Sequence, residues 1–175
     1  SLAFGRHVYP ANIPTQGIRP ITVADIAAAT GMDCAIKLIA WARRDEGGQV
    51  AAGVEPMLVP RQNQLAGVDD VFNAVLMKGD MLGDVVFYGK GAGRLPTASA
   101  VAADVIDALK NGAKVHDSLF WQPSEPFDGL LADATPATYY VRTKNIPATV
   151  LPALYGEGEL VLDKGAEAAY LVTYI

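Results

Sequence analysis

Cysteine and histidine are almost missing from this sequence. The single Cys34 excludes an intrachain disulfide, and two histidines beside it do not make a zinc site. Positive charge is sparse: 14 Lys and Arg stand against 19 Asp and Glu, a formal net charge of -5 with no basic cluster. That balance argues against a nucleic-acid partner or an anionic membrane surface. The longest apolar runs fall well short of a membrane span, and the first residues lack the basic-then-apolar order of a secretory leader. Long-period repeats and low-complexity tracts are missing too. These absences point to a reduced, cytoplasmic compartment, with Cys34 a small buried apolar residue. The sequence opens on Ser1 rather than methionine, as expected of a processed or truncated piece.

What is present is an apolar, patterned chain. With 175 residues, 51% hydrophobic and 19% charged, it has material for one or two domains with a real core. Residues 1–17, with Pro10 and Pro14, read as an extended arm. A helix follows. Thr22 caps it, Asp25 takes the capping-box position, and Ile21 and Ile26 hold the spacing of a hydrophobic staple. Gly31 is its expected C-terminal cap. Over residues 34–43, Cys34, Ile36, Leu38 and Ala40 alternate with Ala35, Lys37, Ile39 and Trp41. Both sets are largely apolar, which predicts a strand covered on both faces. Asp45-Glu46-Gly47-Gly48 turns it into a second strand over 49–59, which Pro56 and Pro60 limit to an edge or bulge role near its end.

Residues 71–78 and 83–88 form the next strand pair, turned at Gly79-Asp80. Gly89-Lys90-Gly91-Ala92-Gly93 then leads into a helix opened by Pro96 in its first turn and closed by Asn111-Gly112. Ala98, Val101, Ala102, Val105 and Leu109 form its apolar stripe. From 112 to 136 the composition shifts to Pro123, Pro126, Pro136 and acidic residues, a connector that Phe120 and Trp121 pin to a neighbour. Beyond it come a strand over 138–144, a short helix over 148–155, and strands over 159–162 and 168–175 turned at Asp163-Lys164-Gly165. The fold class is α+β: a mixed, mainly antiparallel sheet with helices packed on it, followed by a small βαββ portion.

The glycine stretch is the most distinctive chemical feature. Three glycines in five residues let a backbone approach a ligand closely, and the helix beyond offers free N–H groups with Arg94 nearby. The spacing is Gly-x-Gly-x-Gly, which is not the dinucleotide fingerprint. A ligand contact and a tight strand-to-helix turn that needs small residues both fit. Asp33 and Lys37 would share a face if their stretch were helical, as an acid/base pair would require. The alternation favours a strand, which leaves a solvated turn carboxylate and an edge-facing lysine. His7 and His116 are isolated and read as surface or hydrogen-bonded histidines. Ser99 lies inside a helix with no nucleophile elbow, and Asp104 and Asp107 read as that helix's solvated face.

Several stretches together resemble one family. They are Gln16-Gly17-Ile18, Ile21-Thr22-Val23-Ala24-Asp25-Ile26, Ile36-Lys37-Leu38-Ile39-Ala40, Val71-Phe72-Asn73-Ala74-Val75 with Gly79-Asp80, and the long block from Phe87-Tyr88-Gly89-Lys90-Gly91-Ala92-Gly93-Arg94 through Leu95-Pro96-Thr97-Ala98-Ser99-Ala100-Val101. In that order and spacing, residues 1–107 resemble the substrate domain of homoserine dehydrogenases. The resemblance implies an enzyme that interconverts aspartate semialdehyde and homoserine with NAD or NADP, on the route to threonine and methionine. It implies a Rossmann domain that holds the cofactor, and an Asp/Lys pair just before the segment similar to Ser1-Leu2-Ala3-Phe4-Gly5, so no catalytic residue is expected in this sequence. Asp33 and Lys37 match a structural strand of the family. The glycine loop carries over as the element lying against the nicotinamide, through Gly91, Ala92, Gly93 and Thr97. Residues 139–175 resemble a shortened ACT-type regulatory domain, with Ile146-Pro147-Ala148 where the family has Pro-Gly.

The expected organisation is a partial substrate domain over 1–111, a linker over 112–137 and an ACT-like remnant over 138–175. The expected assembly is a homodimer, and the expected dinucleotide affinity of this portion alone is weak or nil. The alternative is a non-catalytic, dimerising amino-acid-binding module.

Overall fold

The first α-helix begins where the sequence supplies its own cap. Thr22, in an extended conformation, closes a capping box with Asp25, and helix α1 runs over Val23–Gly31. The computed structural model describes residues 1–112, 121–123 and 137–174. They cluster in two compact units, each assembled from two separate stretches. One takes the described residues of 1–9 and 62–128, the other those of 10–61 and 129–175.

In the second unit α1 lies against strand β1, Cys34–Arg44, and its buried residues, Asp25 and Ala29, lie four apart on one face. Gly31 is the last helical residue and not the cap. Met32 takes that place, its N–H donating to the carbonyls of Ala28 and Ala29. The left-handed turn falls later still, at Asp33 (φ 53°), a residue type that tolerates it. Strand β2, Val50–Pro60, pairs antiparallel with β1 from Cys34 opposite Pro60 to Arg44 opposite Val50. Pro56 is accommodated inside β2 because the sheet has two strands and both are edges. Burial favours β2, through Val50, Ala51 and Val59, while Leu38 of β1 stays 46% exposed. The expectation of a first strand covered on both faces is corrected in that respect. Trp41 lies across Gly53, where an added Cβ would stand 2.9 Å from the indole, and its Nε1–H donates to Glu55 at 2.9 Å. The expected extended arm is strand-like only in part. A 3₁₀ turn occupies Pro10–Asn12, and Thr15 then bridges to Val54.

The same unit holds a three-stranded antiparallel sheet, ordered β5-β7-β6, from Ala137–Lys144 (β5), Gly158–Asp163 (β6) and Glu167–Tyr174 (β7). Since β5 and β6 are both antiparallel to β7, they run parallel to each other. Helix α3, Leu151–Tyr155, lies between them in the chain, making a split β-α-β unit. Its core is fully apolar apart from a phenol. Leu151, Ala168, Tyr170 and Val172 are buried, with Val141, Ile146, Ala148 and Tyr155 packed around them. The Tyr170 hydroxyl reaches the Gly156 carbonyl at 3.0 Å, which satisfies its one polar atom.

In the first unit, strands β3, Phe72–Gly79, and β4, Gly83–Lys90, form an antiparallel hairpin, followed by helix α2, Arg94–Asn111. No residue of α2 is buried. Val101, Val105 and Leu109 of the expected stripe are all more than half exposed. The helical periodicity was real, but the described residues do not cover it. Trp121 stands 5.8 Å from the His7 ring, and the backbone beside it pairs, His7 N–H donating to the Gln122 carbonyl and Gln122 N–H to that of Gly5. This is the anchoring expected of Trp121. His116, Phe120 and most of the 112–137 linker lie outside the described residues. Among the described residues, no helix is long and apolar enough to cross a membrane.

Candidate functional site

The glycine loop is positioned by the hairpin before it and the helix after it. Gly89 and Lys90 still belong to β4, opposite Asn73 and Phe72, so the connection itself is only Gly91, Ala92 and Gly93. Phe72 and Tyr88 stack on one face of the hairpin, ring centroids 4.9 Å apart and 7° from coplanar. The Lys90 ammonium sits 5.8 Å over the Phe72 ring. Gly91 passes close to Asn73: an added Cβ would run into the Asn73 side-chain amide. Gly93 caps α2 at φ 119° and ψ 151°, a conformation that a side chain disfavours, and its carbonyl accepts from the Thr97 N–H at 3.1 Å.

Gly91, Ala92, Gly93 and Thr97 thus form one exposed strand-to-helix turn. It has little side-chain bulk, and the positive end of an 18-residue helix lies behind it. Such a surface suits close approach by a flat ring. The turn's own four residues carry no ionisable side chain, so they can bind and shield but cannot transfer a proton. The structure bears out the tight strand-to-helix turn, which leaves a bare backbone exposed.

The acid/base reading of Asp33 and Lys37 fails on geometry. Lys37 lies within β1 and Asp33 before it, so the helical face they would share is not formed. Ser99, Asp104 and Asp107 lie on α2 and are exposed, and His7 makes an edge contact with Tyr9 at 4.3 Å.

Sequence reasoning missed a second cluster. Asp25, 3% exposed, uses both carboxylate oxygens. Oδ2 accepts from the Thr22 N–H at 2.8 Å and the Thr22 hydroxyl at 2.7 Å. Oδ1 accepts from the Arg142 Nε–H at 2.5 Å and the Tyr140 hydroxyl at 3.2 Å, both on β5. Burial pushes the Asp25 carboxyl up, but the hydrogen bonds from Thr22 and Arg142 outweigh it and hold the group below its ordinary value. Burial, then the Asp25 charge and hydrogen bond, push the Tyr140 phenol up to about 12. The hydrogen bond to Asp25 raises Arg142 in turn, so all three groups keep their ordinary charge at neutral pH. The available signal was the i, i+2 spacing of Tyr140 and Arg142, which puts both on one face of a strand.

The homoserine dehydrogenase family pattern matches residues 1–106. The homoserine dehydrogenase of Pseudomonas aeruginosa is 34% identical over 181 residues, covering 95% of this chain and 42% of that protein. That of Mycobacterium tuberculosis (strain H37Rv) is 43% identical over 115 residues, covering 63% of this chain and 26% of its own. Among solved structures, the Thiobacillus denitrificans homoserine dehydrogenase superposes with a TM-score of 0.76 at 31% identity, over 99% of this chain and 43% of that one. A Staphylococcus aureus homoserine dehydrogenase superposes at 0.72 with 26% identity, over 96% and 43%. The chain therefore spans less than half the length of the relatives it matches.

The fold and these likenesses define an α+β chain similar to part of an oxidoreductase. The chain belongs to the homoserine dehydrogenase family.

Proposed function

We propose that this chain supplies the substrate-domain sheet and the nicotinamide-side loop of an enzyme that interconverts aspartate semialdehyde and homoserine. The observation that carries the reading is the family match over residues 1–106, which contains the exposed turn at 91–93. NAD or NADP supplies the hydride when bound. The residues here that fit such a cofactor are Gly91, Ala92, Gly93 and Thr97. They offer bare backbone to a planar ring, and their role is to pack against it and keep water away. The proton-handling Asp/Lys pair and the main nucleotide contacts lie in sequence that precedes this portion in the family. We assign residues 1–111 to the substrate domain, 112–137 to a linker and 138–175 to an ACT-like remnant, whose split β-α-β order is the start of that domain's pattern. A cytoplasmic homodimer in threonine and methionine biosynthesis completes the proposal.

The test is made on the full-length protein that contains this chain. Oxidation of NADH or NADPH should depend on aspartate semialdehyde, and Ala92→Phe should raise the KM for the dinucleotide with the fold unchanged by circular dichroism. No semialdehyde-dependent turnover would overturn the assignment of activity. Turnover with an unaltered dinucleotide KM in Ala92→Phe would overturn the role of the loop.

A further inference from the structure

Helix caps do not need to be buried. Thr22 and Asp25 would form their capping box equally well at the surface, yet Asp25 is one of only two buried polar residues among those described, with Thr143. Burying a carboxylate is costly unless every lone pair is met, and here the partners come from two elements far apart in sequence. One oxygen serves the first turn of α1, the other serves β5. The carboxylate is planar and rigid, so turning it to favour one side misaligns the other. Beyond Arg142 the alternation of charge continues. Glu167 on β7 lies 3.9 Å from Arg142 and 3.6 Å from Lys144, which links α1 through β5 to β7.

We propose that Asp25, with Thr22, Tyr140 and Arg142, is a conformational latch that joins the winding of the first turn of α1 to the seating of β5. A ligand or partner that displaces the three-stranded sheet is then felt at residues 22–26, and a change there is felt at β5, since coupling between two sites is reciprocal. The proposal stands on the shared carboxylate and is independent of the catalytic assignment.

Amide hydrogen exchange on the full chain tests it, with residues 23–28 and 137–144 as the two reporters. Arg142→Met removes the distant donor and keeps the aliphatic stem. It should speed exchange in both segments by about tenfold or more, as loss of a charge-assisted hydrogen bond implies. Thr22→Ala touches only the helix end, yet it should also speed exchange in β5. The double variant should fall well short of the product of the two single effects, because both act through one carboxylate. A change confined to β5 in Arg142→Met, or a double variant equal to that product, would sink the latch. Should Arg142→Met fail to fold, Tyr140→Phe serves instead. It removes one hydrogen bond and should raise exchange about threefold in both segments, and a rise in β5 alone again refutes the proposal.

Discussion

The Nε–H of Arg142 donates to Asp25 Oδ1 at 2.5 Å across 117 positions of sequence. The carboxylate side chain is 4% exposed and the guanidinium side chain 17%, so solvent screens the pair only weakly.

That burial predicts a pH dependence. The folded-state pKa of Asp25 lies below its ordinary 3.8, so its contribution is fully present above that value and is lost as pH falls through the folded one. Asp25→Asn should cost about 3 kcal/mol at pH 7, near the low end for an orphaned buried partner because Arg142 keeps some access to water. In urea unfolding, the gap between wild type and Asp25→Asn should narrow steadily below pH 4. A gap that stays constant down to pH 2 would show that Asp25 does not titrate as described.

The strands and the first helix were legible because their signals are local. Thr22 and Asp25 lie three apart, and alternation over residues 34–43 needs no knowledge of a partner. Arg142 was not legible as the mate of Asp25, since nothing within a window of sequence relates residues 117 apart. The stripe of Val101, Val105 and Leu109 was read correctly as periodic. Periodicity says that a face is apolar and does not say what covers it. The helix end was displaced because Gly31 looked like the left-handed residue, while Asp33 takes that conformation and Met32 the cap. The glycine turn was found from composition, but the reason Gly91 has no side chain, its approach to Asn73, is a cross-strand fact.

Two glycines in the second unit should respond in opposite directions to alanine. A Cβ on Gly158 would strike the Leu171 carbonyl and stand 2.7 Å from the Tyr170 ring, which its own hydrogen bond holds in place. Gly158→Ala should therefore destabilise by about 3 kcal/mol, the upper range for overpacking. Gly31 ends α1 with open space around it, and Gly31→Ala should stabilise by about 0.5–1 kcal/mol. Denaturant midpoints check both, and equal effects would contradict the packing described.

Within the loop, Gly93 and Gly91 should differ for separate reasons. Gly93 sits at φ 119°, so Gly93→Ala carries backbone strain of about 1–3 kcal/mol and should fray the start of α2. At Gly91 the obstacle is the end of the Asn73 side chain, which can rotate aside. The smaller loss is expected for Gly91→Ala, and the pair Gly91→Ala with Asn73→Ala should recover most of it. A thermal melt in which Gly91→Ala is the more damaging substitution would contradict this order.

Because Asp25 and Arg142 are so far apart, the ribosome delivers them at different times. At about 5–20 residues per second, the 117 positions between them take about 6–23 s to synthesise. Through that interval the nascent carboxylate has Thr22 as its partner, and the strand that later encloses it does not yet exist. Until then α1 can lie against β1, but the long-range side of Asp25 has no partner. Asp25 therefore gains its full set of partners only after β5 has been made.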